Sequence, residues 1–251
     1  MRIREEIRMK RKEYFATATT KEKIKYLIDY YGWLSMGLAL ILAFIIFGIV
    51  EVATAPEPVI NGAFINLSQY GENFLTEELG KEFLKELNVD TKKYSANFSD
   101  NLIISSADAE TTSTTHQVLM VHMSGGMLDF IVASPENLIT YAYDDLFVDL
   151  TTVLTEEEIE AYKPYFLYVD AAITKERNEG SKSLEELADY VYPDMTKPED
   201  MKEPIPVFLD LSDNERMKEL YNAKKLNISF CIVSTGKNQE NTVKFLNFLM
   251  K

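Results

Sequence analysis

The sequence predicts one membrane-spanning helix followed by a single α/β domain, a mixed sheet covered by helices. Three observations carry that prediction. One uncharged apolar run is long enough to cross a bilayer, the balance of charge reverses across it, and beyond it strand-like and helix-like stretches alternate.

Residues 1–29 form a basic stub, too short for a core of its own. Residues 1–50 hold nine Lys/Arg against five Asp/Glu, whereas the rest holds 17 against 35. Two environments explain such an asymmetry better than one uniformly acidic protein. The apolar run "YYGWLSMGLALILAFIIFGIV", residues 30–50, is the predicted transmembrane helix. Its rise of about 31 Å matches a hydrocarbon core of about 30 Å. Tyr30, Tyr31 and Trp33 stand at its amino-terminal edge, where amphipathic rings favour the headgroup layer.

Arg2, Arg4, Arg8, Lys10, Arg11, Lys12, Lys21, Lys23 and Lys25 precede the run, and "EVATAPEPVINGAF" after it has no Lys or Arg. The positive-inside rule then places the amino terminus in the cytoplasm and everything after residue 51 outside, at a cell membrane crossed once. Ala53-Thr54-Ala55 resembles a signal cleavage site, but Pro56 follows directly and the run exceeds a signal h-region, so an uncleaved anchor is expected. Residues 51–59, with two prolines, read as a stiff linker, and 60–251 as the extracytoplasmic α/β domain.

Within that domain "VINGAFINLS" is strand-like. "FLTEELGKEFLKEL" is helical, with Leu75, Leu79, Phe83, Leu84 and Leu87 on one stripe. "YSANFSDNLIIS" is extended. The polar tract "SADAETTSTTHQ" leads into a helix, "VLMVHM", stopped by Gly125-Gly126. A strand over 127–133 then enters a tyrosine-rich helix, with Ser134 as N-cap and Pro135 at the first helical position. Capping boxes at Thr155/Glu158, Ser183/Glu186 and Ser212/Glu215 open three more helices, the first of them "EEEIEAYKPYF". "EPIPVFLDL" is a strand. "LNISFCIVS" is an apolar strand buried on both faces, and "ENTVKFLNFLM" is a closing helix.

Catalytic patterns do not emerge: the sequence has no nucleophile elbow and no complete phosphate loop. His116 and His122 are six residues apart and would not share one helix face, so no metal is expected. The lone Cys231 cannot form an internal disulfide and reads as a buried thiol. Asp144, Asp145 and Asp149 lack the spacing of a calcium loop and read as a solvated face. Tyr141, Tyr143, Tyr162, Tyr165 and Tyr168 are either cleft-lining or core residues.

The stretch "HQVLMVHMSGGMLDFIVASPENLITYAYDDLFVDLT" resembles the extracellular solute-binding proteins of ABC transporters. Gly125-Gly126 end a helix, a strand bearing Asp129 enters another, and Phe147-Val148-Asp149-Leu150 take the place of a "G-x-L-x-D-L" segment. The closing "STGKNQENTVKFLNFLM" is similar to that family's strand–turn–helix element. The resemblance implies a periplasmic-binding-protein-like mixed sheet over 60–251, reduced in length, without the lipidated cysteine or ligand-gripping tryptophans of many members. It implies a non-catalytic binding or sensing domain, with Ser134, Glu136, Asp129, Tyr141 and Tyr143 as candidate ligand residues. The expected partners are the membrane, a small solute or peptide, and a transporter or other membrane protein; neither a cofactor nor nucleic acid is expected. The alternative is a structural accessory subunit of a membrane transporter or secretion complex.

Overall fold

The computed structural model describes residues 2–67, 74–178 and 191–251. The chain divides into two compact units, residues 1–55 and 56–251.

The first unit holds two helices, α1 (Arg2–Thr17) and α2 (Thr20–Thr54), separated at Ala18-Thr19. The Thr19 amide donates to the Glu22 carboxylate at 2.8 Å, half of a capping box that restarts the helix. Within α2, the 19 residues Met36–Thr54 are long and apolar enough to cross a membrane. The expected linker at 51–59 is largely absent. Nothing breaks the helix before Pro56, so α2 continues through Thr54, and Ala55 adopts the extended backbone (φ −59°, ψ 134°) that a following proline favours. Strand β1 (Glu57–Phe64) begins immediately afterwards.

The second unit is α/β. In chain order it comprises β1, α3 (Phe74–Glu86), β2 (Tyr94–Ser99), α4 (Ala109–Ser124), β3 (Phe130–Ala133), α5 (Pro135–Tyr143), α6 (Glu156–Tyr162), β4 (Phe166–Asp170), α7 (Ala171–Asn178), β5 (Pro204–Asp210), α8 (Glu215–Leu220), β6 (Ser229–Ile232) and α9 (Gln239–Leu249). The strands form one mixed six-stranded sheet in the order β2-β1-β3-β6-β5-β4. β1 pairs in parallel with β2 and β3, whereas β6 is antiparallel to both β3 and β5, and β4 is antiparallel to β5.

Alternation along each strand sends successive side chains to opposite faces. Phe64, Phe130, Val132, Phe230 and Ile232 face a layer containing α3, α8 and α9. Ala63, Ile131, Ala133, Cys231 and Val233 face α4, α5 and α7. Both faces of β3 and β6 are therefore buried, which is why their sequences, "FIVA" and "SFCI", lack the alternation of a half-exposed strand. On the first face a continuous aromatic chain joins Phe64, Phe98, Phe130, Phe230 and Phe245; the Phe130 and Phe230 rings stack 5.0 Å apart. Gly62 sits beneath the Phe130 ring, where a Cβ would fall 2.0 Å from Cζ.

Several boundaries differ from expectation. α4 starts at Ala109, inside the supposed polar tract, because the Asp108 carboxylate accepts the Thr111 amide at 3.0 Å and Thr115, Leu119 and Met123 bury one face. Its end is as expected: Gly126 takes φ +60° while the Met127 and Gly126 amides reach the His122 and Met123 carbonyls, a Schellman stop. In α3, Leu79, Phe83 and Leu84 are buried, but Leu75 is 37% exposed and Thr76 takes the inward place.

The helix expected to run to Phe166 stops at Tyr162. A 3-10 turn containing Pro164 intervenes, and Phe166 opens a strand. The Thr155/Glu158 box forms as expected. Asn214, not Ser212, caps α8, because the Ser212 hydroxyl accepts the Ile228 amide at 3.3 Å. The Ser183/Glu186 box and its helix lie outside the described residues.

Candidate functional site

Strands β1, β2, β3 and β5 all run in the same direction. From β1 the chain passes first to β2 on one side, then through α4 to β3 on the other. In open α/β sheets this reversal leaves a crevice outside the carboxyl ends of the two strands, the usual position for a ligand. Here those ends are Phe64 and Ala133.

Past Phe64 the Ile65 amide still bonds to the Val132 carbonyl at 2.8 Å, and at Asn66 the chain turns away from the strand. Asn66 has φ 65°, a left-handed geometry that asparagine tolerates better than most residues. Its side chain accepts the Ile104 amide at 2.8 Å and donates to the Ile104 carbonyl at 3.0 Å, fixing the segment beyond β2 against this edge.

Past Ala133, Ser134 stands at the N-cap of α5 and Pro135 at the first helical position, as expected. The Ser134 hydroxyl does not cap the helix; it donates to the Glu136 carboxylate. Because Ala133 pairs with Ser229, the residues before β6 meet those after β3. Asn227 thereby donates its side-chain amide to both Glu136 oxygens, at 3.0 and 2.9 Å, and lies 3.4 Å from the Ser134 oxygen. Partial burial works to raise the Glu136 pKa. The Ser134 hydroxyl, its own amide and Asn227 outweigh that and hold it below the usual carboxylate range. An ionised, exposed carboxylate beside a hydroxyl and an amide suits hydroxyl or ammonium donors.

The other expected site residues are elsewhere. Asp129 lies at the amino end of β3, about 13 Å of strand from Ala133. It is 1% exposed, and its carboxylate accepts the Asn61 amide at 2.7 Å, the Asn238 amide at 2.9 Å and the Asn238 side chain at 3.0 Å. Asn238 precedes α9, so this anion sits where the helix dipole favours it. Asp129 clamps β1, β3 and α9 together and is not gathered with Ser134 and Glu136.

Tyr141 and Tyr143 point into the second core layer. Tyr141 is 7% exposed and hydrogen-bonds to His116 Nδ1; burial, with the charge of Asp144, pushes its pKa up to about 12. Tyr143 is fully buried, accepts the Asp170 amide at 3.3 Å and stacks on Tyr192 at 4.4 Å. Arg177 ties that stack to Asp144, donating to Tyr192 at 2.8 Å and to Asp144 at 2.6 Å. Inward packing thus assigns both tyrosines to the core and not to a cleft wall. Asp149 is likewise engaged, receiving the Thr151 amide at 2.9 Å.

Sequence reasoning missed Asn66 and Asn227. Each is an asparagine at the border of an apolar run, a weak turn signal. A separate groove of about 530 Å³ runs beside edge strand β2, lined by Asn61, Asn97, Ser99, Asp100 and His122 among others. No family model, no curated protein and no solved structure matches this chain.

Proposed function

We propose that this chain is a membrane-anchored, non-catalytic binding domain, similar to a reduced solute-binding protein of an ABC transporter. In this reading α2 is the anchor and residues 56–251 stand outside the membrane. The domain receives a small neutral or cationic ligand, such as a polyol, sugar or peptide amine, at the carboxyl edge of β1 and β3.

The observation that carries this reading is the meeting of Ser134, Glu136 and Asn227 where the carboxyl end of β3 adjoins the start of β6, next to the strand-order reversal between β1 and β3. Glu136 supplies the negative charge, and its hydroxyl and amide neighbours hold it ionised and oriented. The corner is positioned by two rigid strands, which favours a preformed site. Net charge outside also favours cationic over anionic ligands, since residues after 50 carry 35 acids against 17 bases.

The test is a thermal-shift screen of the full chain in detergent against polyols, sugars, amino acids, short peptides and polyamines. A ligand at 100 times its Kd adds about 2.7 kcal/mol of stability. Over a domain of this size that is a rise in Tm of about 5–10 °C. The shift is expected in the native chain and absent in Asn227→Ala and Glu136→Ala. A panel without any shift, or a shift that both variants keep, contradicts the reading.

A further inference from the structure

The membrane-proximal end of the chain carries a second surface. Ile3, Ile7 and Tyr14 of α1 recur at four- and seven-residue steps, which align them on one helix face. They are 74%, 61% and 42% exposed, so their own unit leaves Ile3 and Ile7 open and covers Tyr14 only in part, through Tyr26. Lys10 falls on the same stripe, and α1 as a whole has six Lys/Arg against three Glu.

The position of α1 follows from the break at Ala18-Thr19. Tyr14 and Phe15 of α1 each contact Tyr26 of α2, with ring centroids 5.3 Å apart. Tyr26 lies four residues, about 6 Å along the helix, before the apolar run that opens at Tyr30. If α2 crosses the bilayer, that aromatic elbow stands at the height of the phospholipid headgroups. A helix leaving the elbow with an exposed apolar stripe and a cationic balance matches one chemistry. Its aliphatic groups enter the acyl boundary and its lysines meet lipid phosphates, Lys10 by extending its stem past the stripe.

We propose that α1 lies in the interfacial layer of the membrane that α2 crosses, bound to anionic phospholipid through Ile3, Ile7, Tyr14 and Lys10. This rests on the anchor reading of α2. A protein partner for the same face is the competing occupant; the run of basic residues beside a span favours lipid.

The experiment uses the full chain in vesicles of phosphatidylcholine alone or mixed with phosphatidylglycerol. A polarity-sensitive fluorophore is placed at Ile7→Cys on the stripe or at Ala16→Cys away from it. Cys231 is fully buried and stays unlabelled. Quenching of Trp33, the chain's one tryptophan, by brominated lipid reports separately on the anchor.

The expected result is a blue shift at Ile7 in phosphatidylglycerol vesicles but not at Ala16. Lys10→Glu should abolish that shift while Trp33 quenching is unchanged. If Trp33 is quenched yet the Ile7 label is as hydrated as the Ala16 label, the lipid contact is overturned and the anchor stands. An Ile7 shift equal in phosphatidylcholine alone overturns the choice of anionic lipid. Unquenched Trp33 overturns the anchor and the contact together.

Discussion

Adding one methyl group at Gly62 is expected to disturb the centre of the first core layer. The new Cβ would stand 2.0 Å from Phe130 Cζ, 2.1 Å from Cε1 and 2.6 Å from Cε2. Carbon atoms pack at about 3.5–4.0 Å, so the ring must retreat by about 1.5–2 Å. It has little room, because Phe64, Phe98, Phe230 and Phe245 surround it with centroids 5.7, 5.5, 5.0 and 4.8 Å away. Overpacking of this kind costs about 1–3 kcal/mol, and losing the whole ring from the core, about 3–5 kcal/mol, sets the ceiling. We expect Gly62→Ala to lose about 3 kcal/mol, a fall in Tm of about 6–12 °C. Calorimetry or tyrosine near-ultraviolet circular dichroism reads this; Trp33 fluorescence does not, since that residue belongs to α2. Phe130→Leu in the Gly62→Ala background should recover at least about 1 kcal/mol relative to additivity. Strict additivity of the two substitutions, or a neutral Gly62→Ala, would refute the packing described.

Two further outcomes follow from buried carboxylates. Asp129→Ala removes the acceptor for the Asn61 and Asn238 amides and is expected to cost about 3 kcal/mol in chemical denaturation, mostly as unsatisfied buried donors. Asp170 is 4% exposed; burial alone would raise its pKa, but the Lys202, Glu203 and Ala172 amides and the Lys202 charge hold it below the usual range. A carboxylate depressed on folding stabilises above its unfolded pKa of about 4 and loses that contribution as pH falls through the folded value. The Tm gap between native chain and Asp170→Asn should therefore narrow below pH of about 4; a constant gap would exclude this linkage.

Local chemistry made part of this molecule legible in advance. The apolar runs expected as strands over 127–133 and 226–234 contain β3 (Phe130–Ala133) and β6 (Ser229–Ile232), which are apolar apart from Ser229 and buried on both faces. The Gly125-Gly126 stop and the Thr155/Glu158 box were readable because each is complete within four residues. β4 was not: five residues following Pro164 do not distinguish a strand from the end of a helix without β5 to pair with. The early start of α4 was hidden for a related reason. Its threonines have modest helix propensity, and burial of Thr115, Leu119 and Met123 decides the matter. At the site, Ser134 and Glu136 are two residues apart and were found together. Asn227 is 91 residues from Glu136, and only the β3–β6 register brings it there. Asp129, Tyr141 and Tyr143 share the neighbourhood in sequence, yet strand length and inward packing separate them from the corner.

The central claim is an α/β binding domain held outside a membrane, and its topology is the most direct test. Single cysteines at Ala16 and at Ala55 bracket the apolar part of α2, while buried Cys231 is silent. In intact cells an impermeant thiol reagent should label Ala55→Cys and spare Ala16→Cys until the membrane is permeabilised. Labelling at Ala16→Cys with protection at Ala55→Cys would place the domain inside and contradict the account.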